Sequence, residues 1–185
     1  MSNHVCPWWI GYFLLIPFRR RGQNPRVILS PYVSAGMTVL EPGPGMGFFT
    51  LDLARLVGPD GRVIAVDIQS KMIEALRRRA QKAGVLDRIE TRLVSSNQMG
   101  VQDLNGKVDV ALAFYMVHEL PDADGFFHEV FDVLKPAGRL LFAEPVRHVS
   151  EKAFAASLQK AEQAGFKVES RPTIRASRTA VLVKK

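Results

Sequence analysis

From residue 37 onward, short apolar runs alternate with longer amphipathic segments along the chain. The apolar runs are rich in valine, isoleucine, leucine and alanine, which is typical of strands buried on both faces of a sheet. The amphipathic segments repeat apolar residues at helical spacing, and glycine ends several of them. The predicted strands are 37–42, 62–67, 89–94, 108–114, 138–144, 166–171 and 179–185, and the predicted helices are 48–57, 70–83, 122–134 and 150–164.

This alternation predicts a doubly wound α/β fold with mainly parallel strands and helices on both faces. The last two predicted strands are separated by too few residues for a crossover helix, so they must pair as an antiparallel hairpin. We therefore predict a Rossmann-like, mostly parallel seven-stranded sheet with a terminal antiparallel strand. Residues 24–33 precede this sheet as a predicted helix, with Asn24 as its cap and Pro25 in its first turn.

Length and composition limit the class of protein. The 185 residues suit a single domain, which we divide into an N-terminal extension, 1–36, and a core, 37–185. The single cysteine, Cys6, excludes an intramolecular disulfide, and with it we expect a cytoplasmic protein. The net charge of +7 favours anionic partners such as nucleic acid, an acidic membrane surface or a charged metabolite. The apolar run 5–18 is shorter than the ~20 residues that span a bilayer, so we predict no transmembrane segment.

A glycine-rich sequence, EPGPGMG at 41–47, lies between the first predicted strand and the helix after it. Ligands of open α/β sheets bind at the carboxyl ends of the strands, and glycines there let the backbone approach them. The spacing differs from the dinucleotide fingerprint, because Phe48 occupies the position of its third glycine. A Walker loop is excluded as well, because no Gly-Lys-Ser/Thr follows. Asp67 ends the second strand, where a carboxylate can accept hydrogen bonds from both hydroxyls of a ribose.

Together these features resemble the class I S-adenosylmethionine-dependent methyltransferases, in particular their small type 11, quinone-methyltransferase-like branch. The resemblance covers 37–185 and includes FYMVHELPD after the fourth strand, LKPAGRLLFAEP around the fifth, and the terminal hairpin. It implies S-adenosylmethionine as the cofactor and S-adenosylhomocysteine as the product. The residues to which it assigns cofactor binding are Glu41, Gly43, Pro44, Gly45, Gly47, Asp67, Ile68, Ser96, Asn97 and Phe114.

The resemblance also implies a role for each part of this set. Glu41 and the backbone of the loop hold the amino-acid end of the cofactor, Asp67 binds the ribose, and Ile68 lies against the adenine. The acidic residue that the family often has after the third strand is missing. The sequence SSN at 95–97 stands in that window, and Ser96 or Asn97 is expected to replace the acid. The backbone of Phe114 is expected beneath the methionine portion.

Candidate catalytic groups follow the fourth and fifth strands. Methyl transfer from a sulfonium depends mainly on positioning, and it needs a base only where the acceptor holds its proton. We expect His118 to be that base, because imidazole titrates near neutral pH, with Glu119 orienting it or binding an ammonium group of the acceptor. Both also fit a purely structural role. Tyr115, Glu144 and His148 are the further candidates, and the scattered histidines predict no metal site.

The segment 4–21 contains both tryptophans, Trp8 and Trp9, and the basic run Arg19–Arg21. We expect this segment to cover the active site as a lid and to admit a small, lipophilic or aromatic acceptor. Peripheral contact with an anionic membrane and packing against another subunit are the alternatives. For the whole protein, an RNA methyltransferase is the second hypothesis, on the strength of the net charge, although no RNA-binding module accompanies the fold. A non-catalytic S-adenosylmethionine-binding protein is the third, and the sequence does not predict an oligomeric state.

Overall fold

The computed structural model describes residues 21–95 and 98–185. The chain divides into two compact units, Met1–Ser95 and Ser96–Lys185. Each unit contains parallel strands connected through helices, which is the arrangement that the alternating sequence pattern predicts.

The first unit contains three parallel strands in the order β3-β2-β1. Its strands are β1 (Thr38–Pro42), β2 (Arg62–Asp67) and β3 (Ile89–Leu93), and its helices are α1 (Pro25–Leu29), α2 (Thr50–Val57) and α3 (Ser70–Lys82). The central strand is buried throughout 63–66, which explains its continuous apolar run. Pro42 lies opposite Val66, and Asp67 lies opposite Leu93. The carboxyl ends of the three strands therefore lie at one edge of this layer.

The second unit contains four strands in the order β4-β5-β7-β6. Its strands are β4 (Val108–Phe114), β5 (Leu134–Pro145), β6 (Phe166–Ser170) and β7 (Ser177–Lys184), and its helices are α4 (Ala123–Val133) and α5 (Glu151–Gln163). Strand β4 is parallel to β5, whereas β7 is antiparallel to both β5 and β6. The predicted doubly wound, mostly parallel sheet with a reversed strand near its end is confirmed.

Side-chain caps begin the helices of the second unit where the sequence indicates. The Asp122 carboxylate accepts a hydrogen bond from the Gly125 amide at 2.9 Å, and the Ser150 hydroxyl accepts one from the Ala153 amide at 3.1 Å. These bonds satisfy amide groups that the first turn of a helix leaves without a partner. The caps therefore fix where α4 and α5 begin.

Two elements differ from their predicted bounds by more than two residues at one end. Helix α1 ends at Leu29, whereas the prediction extended to Val33, because Pro31 lacks the amide hydrogen that would continue the helical hydrogen bonds. Strand β5 begins at Leu134, earlier than the predicted Gly138. The strand register explains the difference. Leu134 pairs with Val108 and Arg139 pairs with Val110, so the irregular stretch 135–138 interrupts the pairing of β5 with β4.

Within residues 21–95 and 98–185, no helix is both long enough and apolar enough to cross a membrane. Within the same ranges, no three histidine, cysteine or acidic side chains converge as a metal site.

Candidate active site

The glycine-rich loop, residues 43–47, leaves the carboxyl end of β1 through a series of left-handed backbone conformations. The φ angles of Gly43, Gly45 and Gly47 are 66°, 54° and 83°. Residues with a side chain rarely adopt these angles, so glycine at these positions has a steric reason. The Gly43 amide donates to the carbonyl of Val66 in β2 at 2.9 Å, which ties the start of the loop to the neighbouring strand.

Gly45 and Gly47 differ in how much space surrounds them. A Cβ atom added at Gly45 would meet no atom within 4 Å, so this part of the backbone presents an open face. A Cβ added at Gly47 would overlap the Leu76 side chain and lie 2.8 Å from Cδ1 of Leu51. The Arg79 guanidinium donates to the carbonyl of Met46 from the same side. Helices α2 and α3 thus support the loop from behind and leave Gly45 accessible to a ligand.

Glu41 places a carboxyl in the interior immediately before the loop. Its residue surface is only 3% exposed, and its Oε2 atom has no hydrogen-bond partner among the described residues. Burial raises the pKa of Glu41 to about 8; the Thr50 hydroxyl counteracts this effect, and the negative charge of Asp67 adds to it. A buried acceptor without a partner is costly unless a ligand satisfies it. The site therefore fits a ligand that brings a positive charge or a hydrogen-bond donor.

Asp67 ends β2 and is only 8% exposed. Its Oδ1 atom accepts a hydrogen bond from the Gln69 amide at 2.9 Å, which holds the carboxylate at the carboxyl edge of the strand. The next side chain, Ile68, is 40% exposed, and Leu93, at the end of the adjacent strand β3, is 58% exposed. Exposed apolar side chains beside a fixed carboxylate suit a nucleoside, whose base is flat and whose ribose carries two hydroxyls. Leu93 was not predicted from the sequence; the signal was an apolar residue at the end of a short strand.

Several predicted residues fall outside the structural description. Ser96 and Asn97, the expected replacements for an acid near the adenine, lie outside the described residues, and so does most of the predicted lid, 4–21. Their roles stay predictions from the resemblance.

In the second unit, His118 and Glu144 form a tightly bonded pair. The imidazole Nδ1 atom lies 2.6 Å from Glu144 Oε2, and the His118 amide donates to Glu144 Oε1 at 3.0 Å. The side chain of Glu144 is only 1% exposed, whereas that of His118 is 24% exposed. The hydrogen bond to Glu144 is the main cause that raises the pKa of His118; burial opposes it, and the charges of Glu144 and Glu119 support it.

In this structure the His118 imidazole is hydrogen-bonded to Glu144 and not to Glu119, which was predicted to orient it. The Glu119 Oε1 atom lies 3.9 Å from His118 Nε2, which is too far for a hydrogen bond. Glu144 contacts the imidazole because β4 and β5 are parallel neighbours, so their carboxyl ends meet. The sequence does not reveal this pair because the two residues are separated by 26 positions.

Phe114, Tyr115 and His148 are the other predicted site residues of the second unit, and their contacts differ. The ring of Phe114 lies 4.4 Å from that of Tyr115, measured between centroids. The Tyr115 hydroxyl is bonded to Ser177 Oγ at 2.6 Å, so it anchors the chain to β7. The φ angle of Tyr115 is 65°, an unusual conformation for a residue with a side chain. The centroid of the His148 ring lies 6.0 Å from that of His118, in an edge-on arrangement.

Comparison with known proteins identifies the family. Residues 33–174 match the family described as "Methyltransferase domain". The ubiquinone/menaquinone biosynthesis C-methyltransferase UbiE of Hahella chejuensis is 32% identical over 125 residues, which cover 66% of this chain and 49% of that protein. UbiE of Escherichia coli is 31% identical over 127 residues, 67% of this chain and 50% of that protein. The chain thus spans about half the length of these curated relatives.

A solved structure shows the same fold over nearly the whole chain. The SAM-dependent methyltransferase from Aquifex aeolicus has a TM-score of 0.86 and 23% sequence identity, and the match covers 98% of this chain and 100% of that one. The family match covers well over half of the chain, and the sheet order and glycine loop agree with it. The chain therefore belongs to the class I S-adenosylmethionine-dependent methyltransferase family.

Proposed function

We propose that this protein transfers the methyl group of S-adenosylmethionine to a small, lipophilic or aromatic acceptor of the quinol or phenol type. The glycine loop of the first unit carries this proposal, because it has an open face at Gly45 and follows the buried, incompletely bonded carboxyl of Glu41. The acceptor class is supported by the relatives, two of which are named for C-methylation in ubiquinone/menaquinone biosynthesis.

The chemistry of the cofactor supports the proposed residue roles. S-adenosylmethionine carries a sulfonium, an ammonium group, a ribose with two free hydroxyls and an adenine. In our proposal Glu41 compensates the positive charge of the amino-acid end, Asp67 accepts hydrogen bonds from the ribose, and Ile68 contacts the adenine. Opposite charge stabilises the ionised form of a buried carboxyl, so cofactor binding is expected to shift Glu41 towards its carboxylate.

The position of Phe48 supports S-adenosylmethionine over a nicotinamide dinucleotide. Phe48 is buried, with 8% of its surface exposed, and its ring packs edge-on against Phe49 at a centroid distance of 5.1 Å. The dinucleotide fingerprint needs glycine at this position for close packing between helix and strand. A phenylalanine in the core fills that space instead.

A transfer assay with S-adenosylmethionine labelled on its methyl group tests the proposal. We expect label to enter a short-chain benzoquinol, naphthoquinol or phenol, with one S-adenosylhomocysteine formed for each methyl transferred. Total RNA is offered in a parallel reaction, and a reaction without protein measures spontaneous methylation. Label in RNA and none in the aromatic acceptors would replace the proposed acceptor class with the RNA hypothesis. S-adenosylmethionine binding without transfer to any acceptor would favour the non-catalytic protein.

A further inference from the structure

The second unit contains a carboxylate–imidazole pair, Glu144 and His118, in which both carboxylate oxygens contact the same residue. Glu144 uses both of its oxygens on one residue: Oε1 accepts from the His118 backbone amide and Oε2 bonds to Nδ1 of its ring. This double contact fixes both the position of the backbone and the rotation of the imidazole. A carboxylate that accepts from Nδ1 also fixes the tautomer, so Nε2 of the neutral ring is the proton acceptor.

The exposure of the two partners is unequal. The Glu144 side chain is 1% exposed and is shielded from solvent, whereas the His118 side chain keeps 24% of its surface. Glu119 Oε1 lies 3.9 Å from Nε2 of His118, and the ring of His148 lies 6.0 Å from the His118 ring. Nδ1 is held by Glu144, so Nε2 is the nitrogen left to receive a proton, while the buried carboxylate stabilises the imidazolium that results.

The backbone before His118 explains how the pair forms. Tyr115 follows the last residue of β4, and its amide donates to the carbonyl of Ala143 in β5 at 2.8 Å. Its left-handed φ of 65° then turns the chain, and its hydroxyl is held by Ser177 Oγ. Strained conformations of this kind persist where the surroundings fix them, and they are concentrated at functional sites. The short turn Val117–Glu119 follows and places His118 at the end of β5.

We propose that His118 is the general base of the methyl transfer, that Glu144 is its positioning residue, and that the acceptor carries an aromatic hydroxyl whose proton His118 receives. This inference rests on the proposed function.

The O–H bond of the acceptor breaks and its proton moves to Nε2 of His118. The electron pair left on the acceptor forms a bond to the methyl carbon, from its oxygen or through the ring from a carbon beside it. The bond between methyl carbon and sulfur breaks, and its electron pair stays on sulfur, which gives S-adenosylhomocysteine. Transfer to oxygen leaves the proton on His118, which releases it to solvent. Transfer to a ring carbon is completed by loss of the proton from that carbon to solvent, and the oxygen regains a proton from His118.

The test compares His118→Asn with His128→Asn, a matched control in which the same substitution is made on an exposed histidine of α4. The acceptors are a phenol and a nitrophenol of similar size, whose hydroxyl is already ionised near neutral pH. General-base catalysis contributes about a hundredfold or more, so we expect His118→Asn to lower kcat with the phenol by that factor. With the nitrophenol, which needs no base, kcat should fall by less than about tenfold. His128→Asn should match the wild type with both acceptors.

Glu144→Gln tests the positioning role through the pH profile of kcat. Loss of the carboxylate should lower the pKa of His118, because its hydrogen bond and charge are what raise it. The rise of kcat with pH, which follows formation of the neutral imidazole, should therefore move to lower pH. NMR of the imidazole nitrogens gives the same pKa without an assay, and it should show Nδ1 protonated in the neutral wild-type ring. A profile and pKa unchanged by Glu144→Gln would overturn the positioning role.

The outcomes separate this inference from the proposed function. Equal losses of kcat with the phenol and the nitrophenol would overturn the assignment of His118 as a base. S-adenosylmethionine binding by the wild type without methylation of either hydroxylated acceptor would overturn the acceptor class and leave the cofactor intact. No binding of S-adenosylmethionine would overturn the proposed function itself.

Discussion

Replacing Asp67 with alanine is expected to weaken S-adenosylmethionine binding by more than tenfold. The carboxylate is nearly buried and is held by the Gln69 amide, so it needs no reorganisation to accept hydrogen bonds from a ribose. A hydrogen bond to a charged group contributes about 1.5–3 kcal/mol, and about 1.4 kcal/mol corresponds to a tenfold change in affinity. One lost ribose contact therefore accounts for the expected effect. Calorimetric titration of the folded variant measures it.

Two further variants make the Asp67 result specific. Asp67→Asn keeps an oxygen that can accept from the Gln69 amide but removes the charge, so its affinity should lie between those of the wild type and Asp67→Ala. Asp60→Ala is the matched control, because Asp60 is an exposed aspartate in a turn of the same unit. Its affinity should equal that of the wild type. An unchanged dissociation constant in folded Asp67→Ala would remove Asp67 from the ribose role.

Replacing Glu41 with glutamine is expected to remove a large pH dependence from the stability of the cofactor-free protein. The pKa of Glu41 is about 8 in the folded chain, against 4.5 for an ordinary glutamate. Between these values the folded state holds a proton that the unfolded state has released. Stability therefore falls as pH rises from about 4.5 to about 8, by a factor of about ten in the folding equilibrium for each pH unit.

Urea unfolding of the wild type and Glu41→Gln at several pH values between 5 and 8 measures this contribution. Glutamine cannot ionise, so the stability of the variant relative to the wild type should increase steadily across the window. His118 loses stabilising energy in the same direction, because its raised pKa favours the folded state at low pH, but it is present in both proteins and cancels in the difference. Glu90→Gln, which removes a surface carboxylate, is the control. A difference between wild type and Glu41→Gln that does not vary with pH would contradict the buried, protonated state of Glu41.

The sequence predicts the strands well where burial alone determines them. Strands β2 and β4 have the predicted bounds, because apolar residues make up most of each: Arg62 and Asp67 end the first, and Asp109 is the polar residue of the second. The predicted bounds are wrong where local backbone geometry sets the end of an element. Helix α1 ends before Pro31, and the irregular stretch 135–138 separates the first residue of β5 from the rest of that strand. Propensity and periodicity describe neither effect, because both depend on single backbone hydrogen bonds and on register.

The candidate residues of the first unit and those of the second differ in how far the sequence reveals them. The glycine loop and Asp67 lie in a contiguous motif and at a strand end, so their positions follow directly from the order of the elements. The pairing of His118 with Glu144 depends on the left-handed turn at Tyr115 and on the contact between neighbouring strands. Sequence reasoning favoured Glu119 because it adjoins His118 in the chain; the order of the strands made Glu144 a further candidate but could not show which residue bonds to the imidazole.

Calorimetric titration of the wild-type protein with S-adenosylmethionine, S-adenosylhomocysteine and NAD tests the central claim most directly. All three ligands contain an adenosine, so the comparison isolates what the glycine loop and Glu41 recognise beyond it. Micromolar binding of the two sulfur compounds and no binding of NAD is the predicted result. Binding of NAD without binding of the sulfur compounds would contradict the assignment of the loop, and with it the proposed methyl transfer.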